Sequence, residues 1–163
     1  MLKIRRYQLE DNEVVKELHN DGIRQMLEAD PVAEIPDFTN FDCDLDDIEG
    51  VYQHNNGEFL VGIDGGEIVV IGAIRKVSET YAEVKRIRVR RDCQRHGYGR
   101  RIVQKLEELA TKLGYSELCL DTLASNVPAQ RLFEKCGFTE TSRGNKGPYR
   151  LIYYGKNLNR GGV

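Results

Sequence analysis

Two short apolar runs, Phe59–Ile63 and Ile68–Ile74, flank Asp64-Gly65-Gly66 and predict a β-hairpin closed by a tight glycine turn. A second turn at Ser78-Glu79-Thr80 leads into a predicted strand, Tyr81–Val89. Its alternation breaks midway: Ala82 and Val84 share one phase, Ile87 and Val89 the other. A β-bulge near Lys85-Arg86 is the simplest cause of such a slip. The period then changes. Ile102, Val103, Leu106, Leu109, Ala110 and Leu113 recur at helical spacing, with Gln104, Lys105, Glu107, Glu108 and Lys112 opposite and Gly114 placed to end the helix.

Further elements follow from the same reading. Leu118–Leu120 predicts a short buried strand. Asn126 is placed to cap a helix that tolerates Pro128 in its first turn. That helix carries Ala129, Leu132, Phe133 and Cys136 on one face and stops at Gly137. Tyr149–Tyr154 predicts a final strand. Toward the N-terminus, Lys3–Gln8 predicts an edge strand. Asp11 is a cap for a helix with Val14, Val15, Leu18 and Met26 on one side. Pro31 and Pro36 mark a loop, and Asp44–Tyr52 is a second, short helix. The order predicts a mixed α/β sheet flanked by helices in one domain over residues 1–158, with a loose tail over 159–163.

The stretch Gln94-Arg95-His96-Gly97-Tyr98-Gly99 joins the bulged strand to the helix after it. A helix start carries unpaired N–H groups and partial positive charge. Glycine lets a phosphate approach the backbone closely. Alone the pattern is weak, because a glycine-softened helix entry has the same appearance. Lys85, Arg86, Arg88, Arg90, Arg91, Arg95, Arg100 and Arg101 surround it and suit a multiply anionic ligand. A basic surface for nucleic acid is the competing reading. It is disfavoured by a net charge of −2 and the absence of an interleaved aromatic platform.

A second motif lies one helix and one strand downstream, where Asn126-Val127-Pro128-Ala129 leads into Arg131-Leu132-Phe133-Glu134-Lys135-Cys136-Gly137-Phe138. With Gln94-x-x-Gly97-x-Gly99 it resembles the GCN5-related N-acetyltransferase (GNAT) family. The resemblance covers about Phe59 to Tyr154. It implies a fold in which two central strands splay apart at the bulge to admit the pantetheine arm of acetyl-CoA. It implies an acetyl transfer to a primary amine by direct attack, with acetyl-CoA as cosubstrate. The implied cofactor-binding residues are Ile87, Arg88, Val89, Gln94, Arg95, His96, Gly97, Tyr98, Gly99, Arg100, Asn126 and Phe133. The Val89 N–H is the implied donor to the acetyl carbonyl.

Two carboxylates are candidates for the base that takes the amine proton. Asp121 ends the apolar strand, where some relatives place a base. Glu83 precedes the phosphate turn, another common place for one. Each has a plainer role: Glu83 as a paired strand residue, Asp121 as a strand-end carboxylate that caps neighbouring amides. The residues alone do not separate them. The family often has a Tyr that protonates the departing sulfur. Here that position is Phe133, which has no proton to give and reads better as a core aromatic. Tyr98, Tyr153 and Tyr154 are possible substitutes that the spacing does not rank. The missing Tyr keeps open a module that binds CoA without transfer. An enzyme using another acyl-CoA is a further alternative.

Composition narrows the rest. At 163 residues, with 40% hydrophobic and 31% charged, the chain suits one globular domain. No apolar run approaches the ~20 residues of a membrane span, and the N-terminus lacks a signal-peptide core, so a cytoplasmic protein is expected. Cys43, Cys93, Cys119 and Cys136 form no C-x-x-C pair, and with His19, His54 and His96 they show no metal-ligand spacing. Cys119 and Cys136 read as small core residues; Cys93 reads as a spectator thiol rather than a reactive one. Between Arg24 and Arg75 there is no Lys or Arg, while Glu28, Asp30, Glu34, Asp37, Asp42, Asp44, Asp46, Asp47, Glu49, Glu58, Asp64 and Glu67 fall there. An acidic rim of this kind would draw a cationic amine, such as a polyamine, an aminoglycoside or a basic peptide. A solvated acidic face is the better of the two readings. A homodimer is expected only by the resemblance.

Overall fold

The computed structural model describes residues 1–29 and 43–158. The expected loop at Pro31 and Pro36 and the expected tail lie outside the described residues. In chain order the elements are β1 (Lys3–Arg6), α1 (Asn12–Ala29), β2 (Glu58–Asp64), β3 (Glu67–Lys76), β4 (Tyr81–Val89), α2 (Tyr98–Lys112), β5 (Glu117–Leu123), α3 (Val127–Lys135), β6 (Thr139–Lys146) and β7 (Tyr149–Asn157). The seven strands form one mixed sheet in the order β1-β2-β3-β4-β5-β7-β6, antiparallel throughout except where β4 meets β5.

The β2–β3 hairpin turns on Gly65 and Gly66, whose φ of +60° and +80° suit the right-handed twist of the strands. The bulge lies where the alternation slips. Ile71 pairs with Arg88 and Ala73 with Lys85, so Arg86 and Ile87 stand opposite Gly72 alone. Arg86 takes φ +61°, a conformation rare for a non-glycine residue.

Helices cover both sheet faces. On one side Ile102, Val103, Leu106 and Ala110 of α2 and Phe133 of α3 pack on Ala82, Val84, Leu118 and Leu120. On the other, Val15 and Leu18 of α1 pack with Leu45, Ile48, Tyr52, Phe59, Val61, Ile71 and Ala73. No helix among the described residues is long and apolar enough to cross a membrane.

Three local expectations change. Asp11 does not cap α1. Its carboxylate accepts the Gln8 N–H at 2.8 Å and pairs with Arg5 at 2.7 Å, closing the 3-10 turn that precedes the helix. The buried side of α1 is Val15, Leu18, His19 and Ile23, leaving Val14 exposed. Asp44–Tyr52 is not one helix but a 3-10 turn, Cys43–Asp46, followed by a π turn, Glu49–Gln53, because Asp44 and Asp47 bond outside a regular helical pattern. A strand that the pattern did not predict, β6, pairs along β7.

Candidate active site

The glycine turn builds an array of backbone donors. After β4, Cys93 N–H bonds the Arg90 carbonyl at 2.8 Å and closes a 3-10 turn. Arg95 and Gly97 then take left-handed conformations, φ +66° and +79°, before α2 starts at Tyr98. Among the described residues no backbone carbonyl accepts the N–H of any residue from Gln94 to Arg100. Alternating hand in such a turn directs successive N–H groups into an anion-binding concavity. A Cβ built on Gly97 would meet nothing within 4 Å, so the turn is open on that side. The donors and this open approach fit a diphosphate.

The side chains around the turn have mixed roles. Gln94 donates to Gln25 of α1 at 2.7 Å and to the Val89 carbonyl at 3.3 Å. His96 Nδ1 lies 3.0 Å from the Cys93 carbonyl, and the Tyr98 hydroxyl donates to Asp64. Arg95 and Arg100 are exposed. The basic cluster seen in the sequence disperses in space. Arg90 pairs with Glu67 and Asp92, and Arg91 with Glu28 and Asp21. Lys85 and Arg88 face α1, across the sheet from α2, because their β3 partners Ala73 and Ile71 belong to the α1-side core. Arg88 crosses α1 at Gly22, where a Cβ would come within 2.4 Å of its Cδ.

Below the turn the sheet opens. β4 pairs with β5 only at Tyr81↔Glu117, Ala82↔Leu118 and Glu83↔Cys119. β5 continues with β7 as far as Leu123↔Leu151, while β4 bulges and follows β3. The main chain of β4 beyond Glu83 thus faces the gap without a strand partner on that side. Ile87 and Val89 point toward α2.

On the α1 side of the gap lies a cavity of about 430 Å³, lined in part by Arg75, Tyr81, Glu83, Cys119, Asp121 and Tyr153. Glu83 accepts a hydrogen bond from Arg75 at 2.9 Å. Asp121 keeps contact with solvent, yet the protein around it raises its pKa and the charge of Glu83 adds to the effect. Burial, then Glu83 and Asp121, push the Cys119 thiol up to about 11. Cys119 is therefore not a core residue as expected. Leu118, Leu120 and Thr122 take the buried phase of β5, which leaves Cys119 and Asp121 facing the cavity. Cys93 is held as a thiol by partial burial and by donation to Asp92 at 3.5 Å.

Sequence reasoning missed the group that fixes the bulge. Arg86 places Nη2 2.7 Å from Asp44 Oδ1 and Nε 3.0 Å from Oδ2. Tyr52 donates its hydroxyl to Asp44 Oδ2 at 2.5 Å. Both charged side chains are buried, at 7% and 10% exposure. Burial pushes the Asp44 carboxyl up, but the Arg86 and Tyr52 hydrogen bonds outweigh it and leave the pKa lowered. The one sequence signal was an aspartate within the acidic run Asp42-Cys43-Asp44-Leu45-Asp46-Asp47, which does not name its partner 42 residues away. Much of the acidic stretch is likewise neutralised: Asp46 by Lys16, Glu58 by Arg6, Glu28 by Arg91 and Glu67 by Arg90. Asp30, Glu34, Asp37 and Asp42 lie outside the described residues.

α3 closes the other side of the gap. Asn126 caps it through Oδ1, which accepts the Ala129 N–H at 3.3 Å. Phe133 is buried against Phe138, edge to face with ring centroids 5.8 Å apart. Tyr154 donates to Glu134 of α3 at 3.3 Å, and both Tyr153 and Tyr154 line the cavity.

A sequence profile of the acetyltransferase (GNAT) family matches residues 17–138, and the chain belongs to that family. It is 34% identical over 77 residues to the uncharacterized N-acetyltransferase YsnE of Bacillus subtilis (strain 168), covering 46% of this chain and 51% of that protein. The chain spans about half the length of the curated relatives it matches. Among solved structures, a GNAT-family acetyltransferase of Staphylococcus aureus Mu50 superposes with TM-score 0.82 at 19% identity, covering 98% of this chain and 100% of that one. The Salmonella typhimurium protein yncA, solved with its cofactor acetyl-CoA, superposes with TM-score 0.78 at 20% identity, covering 100% and 97%. These structural likenesses show a shared fold.

Proposed function

We propose that the protein transfers an acetyl group from acetyl-CoA to a primary amine in the gap between β4 and β5. The observation that carries this is the end of β4–β5 pairing at Glu83, with backbone donors above it and a carboxylate-bearing cavity beside it. Acetyl-CoA, when bound, supplies an acyl group on a thiolate that leaves with modest basicity, pKa about 8.5 for a simple thiol.

The residues of the chain divide the remaining work. The N–H groups from Gln94 to Arg100 hold the diphosphate, and exposed Arg95 and Arg100 add positive charge. The β4 main chain offers hydrogen bonds to an amide-bearing arm. The Val89 N–H is a preformed donor for a carbonyl that gains negative charge. Ile87, Asn126 and Phe133 shape the apolar and helical walls, with Phe133 acting only by packing. Asp121 takes the amine proton, directly or through water. Two facts support Asp121 over Glu83: burial and the charge of Glu83 raise the Asp121 pKa above the ordinary aspartate value, toward the range useful for a base, and Glu83 is already held by Arg75.

Calorimetry with acetyl-CoA, followed by thiol-release assays over a panel of amines, tests the proposal. Binding with turnover of an amine is the expected result. No uptake of acetyl-CoA or CoA overturns the cosubstrate assignment. Uptake without turnover of any amine leaves a binding module, the reading that Phe133 in place of Tyr favours.

A further inference from the structure

We infer that the acceptor carries an anionic group close to its amine, and that Lys85 holds that group. The inference rests on the acetyl-transfer reading above and narrows its substrate class. β4 and β5 run parallel with Glu83 opposite Cys119. Two residues further on, Lys85 and Asp121 occupy equivalent positions on the two strands, on the same face, where the strands part. An ammonium thus stands on one wall of the opening and a carboxylate on the other.

Neither side chain makes a hydrogen bond or ion pair among the described residues. The other charges near Lys85 are already matched. Glu83 bonds Arg75 at 2.9 Å, and Asp44 is held by Arg86 at 2.7 Å. Lys85 is nonetheless half-buried, and burial lowers its pKa. Glu83 and Asp121 are near enough for their charges to be felt, yet neither bonds it. A lysine drawn partly out of water without a bonded carboxylate is uncommon, since the cost of desolvation is normally offset by a partner.

A zwitterionic acceptor supplies both missing partners. Its ammonium approaches Asp121, which later accepts the proton, and its anion approaches Lys85. Paired strands lie ~4.8 Å apart, and the gap is wider where they diverge. An amine and a carboxylate on the same or neighbouring carbon atoms suit a separation of that order. A purely cationic acceptor leaves Lys85 unmatched and sets like charges against each other.

The test is an acceptor series built in matched sets: α- and β-amino acids, their carboxamides, and the amines lacking the carboxyl carbon. Thiol release is measured at saturating acetyl-CoA. The expected result is an amino acid favoured over its carboxamide by about tenfold or more in kcat/KM, expressed in KM, as loss of a charge-assisted hydrogen bond implies. Lys85→Met brings that ratio close to one, and Lys85→Arg retains most of it. Acetyl-CoA uptake by each variant shows that the fold and cofactor site persist. Carboxamides or simple amines used as well as amino acids by the unaltered protein overturn the inference while leaving acetyl transfer intact. So does a ratio that survives in Lys85→Met. Turnover of no member of any series, with acetyl-CoA bound, overturns this inference; if the wider amine panel is also silent, the transfer reading falls with it.

Discussion

Asp121 and Glu83 share a cavity wall but not an environment. Glu83 is tied to Arg75, while Asp121 has no such partner and sits in surroundings that disfavour its charge. Asp121→Asn is expected to lower kcat by about 10²- to 10³-fold, the usual scale for a positioned base, with a smaller loss for Glu83→Gln. The pH dependence has a definite sign. A base works when ionised, so activity rises with pH through a midpoint above the ordinary carboxylate value of about 3.9, and Asp121→Asn removes that limb from the pH–rate profile. Phe133 makes the opposite kind of prediction. Its ring is buried edge-on to Phe138, so Phe133→Tyr adds a hydroxyl where packing is tight. Turnover is expected to change by less than about twofold while stability falls by about 1–2 kcal/mol in denaturant titration. A marked gain in rate with a new pH limb would instead mean that an acid role stood vacant at this position.

At the level of elements, the bulge in β4 depends on a residue far from it in sequence. Arg86 holds a left-handed backbone because Asp44, itself bonded to Tyr52, anchors the guanidinium. Asp44→Ala removes the bidentate carboxylate that anchors the buried Arg86 guanidinium and is expected to cost about 3–5 kcal/mol of stability, with activity lost as the gap between β4 and β5 changes shape. Linkage fixes the pH sense of the milder Asp44→Asn. The folded pKa of Asp44 is lowered, so its contribution is fully present above the unfolded value of about 3.9 and is lost as pH falls through the folded value. Melting temperature in the native protein should therefore drop in acid more steeply than in Asp44→Asn. The bulge was legible as a broken alternation, but its anchor was not, because a buried ion pair leaves no periodic trace. β6 went unread for a related reason. Thr139–Lys146 is almost wholly exposed at the sheet edge, so no apolar face marks it. The turn at Gly147, φ +60°, was the one usable signal for a hairpin with β7.

For the molecule as a whole, the gap between β4 and β5 interrupts a seven-stranded sheet, and a cosubstrate that bridges the two walls should stabilise it. At 100 times its dissociation constant, acetyl-CoA is expected to add about 2.7 kcal/mol. In a chain of this size that raises the melting temperature by roughly 5–10 °C, readable by scanning calorimetry. Gly97→Val should remove most of that shift, because a β-branched residue is strained at φ +79° and the turn's donors would lose their alignment. Salt should affect acceptor turnover only weakly, since the described acidic residues between Arg24 and Arg75, apart from Asp47 and Glu49, are paired with cations.

The amino-acid sequence by itself determined the order of elements from β2 to α3, the glycine turn at the start of α2, the slip in β4 and the family. Each of these rests on local pattern: period, turn chemistry and fixed motif spacing. Tertiary structure alone decided which charges meet. It sent Arg86 to Asp44, Arg91 to α1, and Lys85 to the wall opposite Asp121, so that most of one basic run is held on the α1 side of the sheet rather than gathered at the glycine turn. Coulomb interactions depend on distance in space, and only the register of β3, β4 and β5 and the packing of α1 and the Cys43–Asp46 turn on that sheet set those distances.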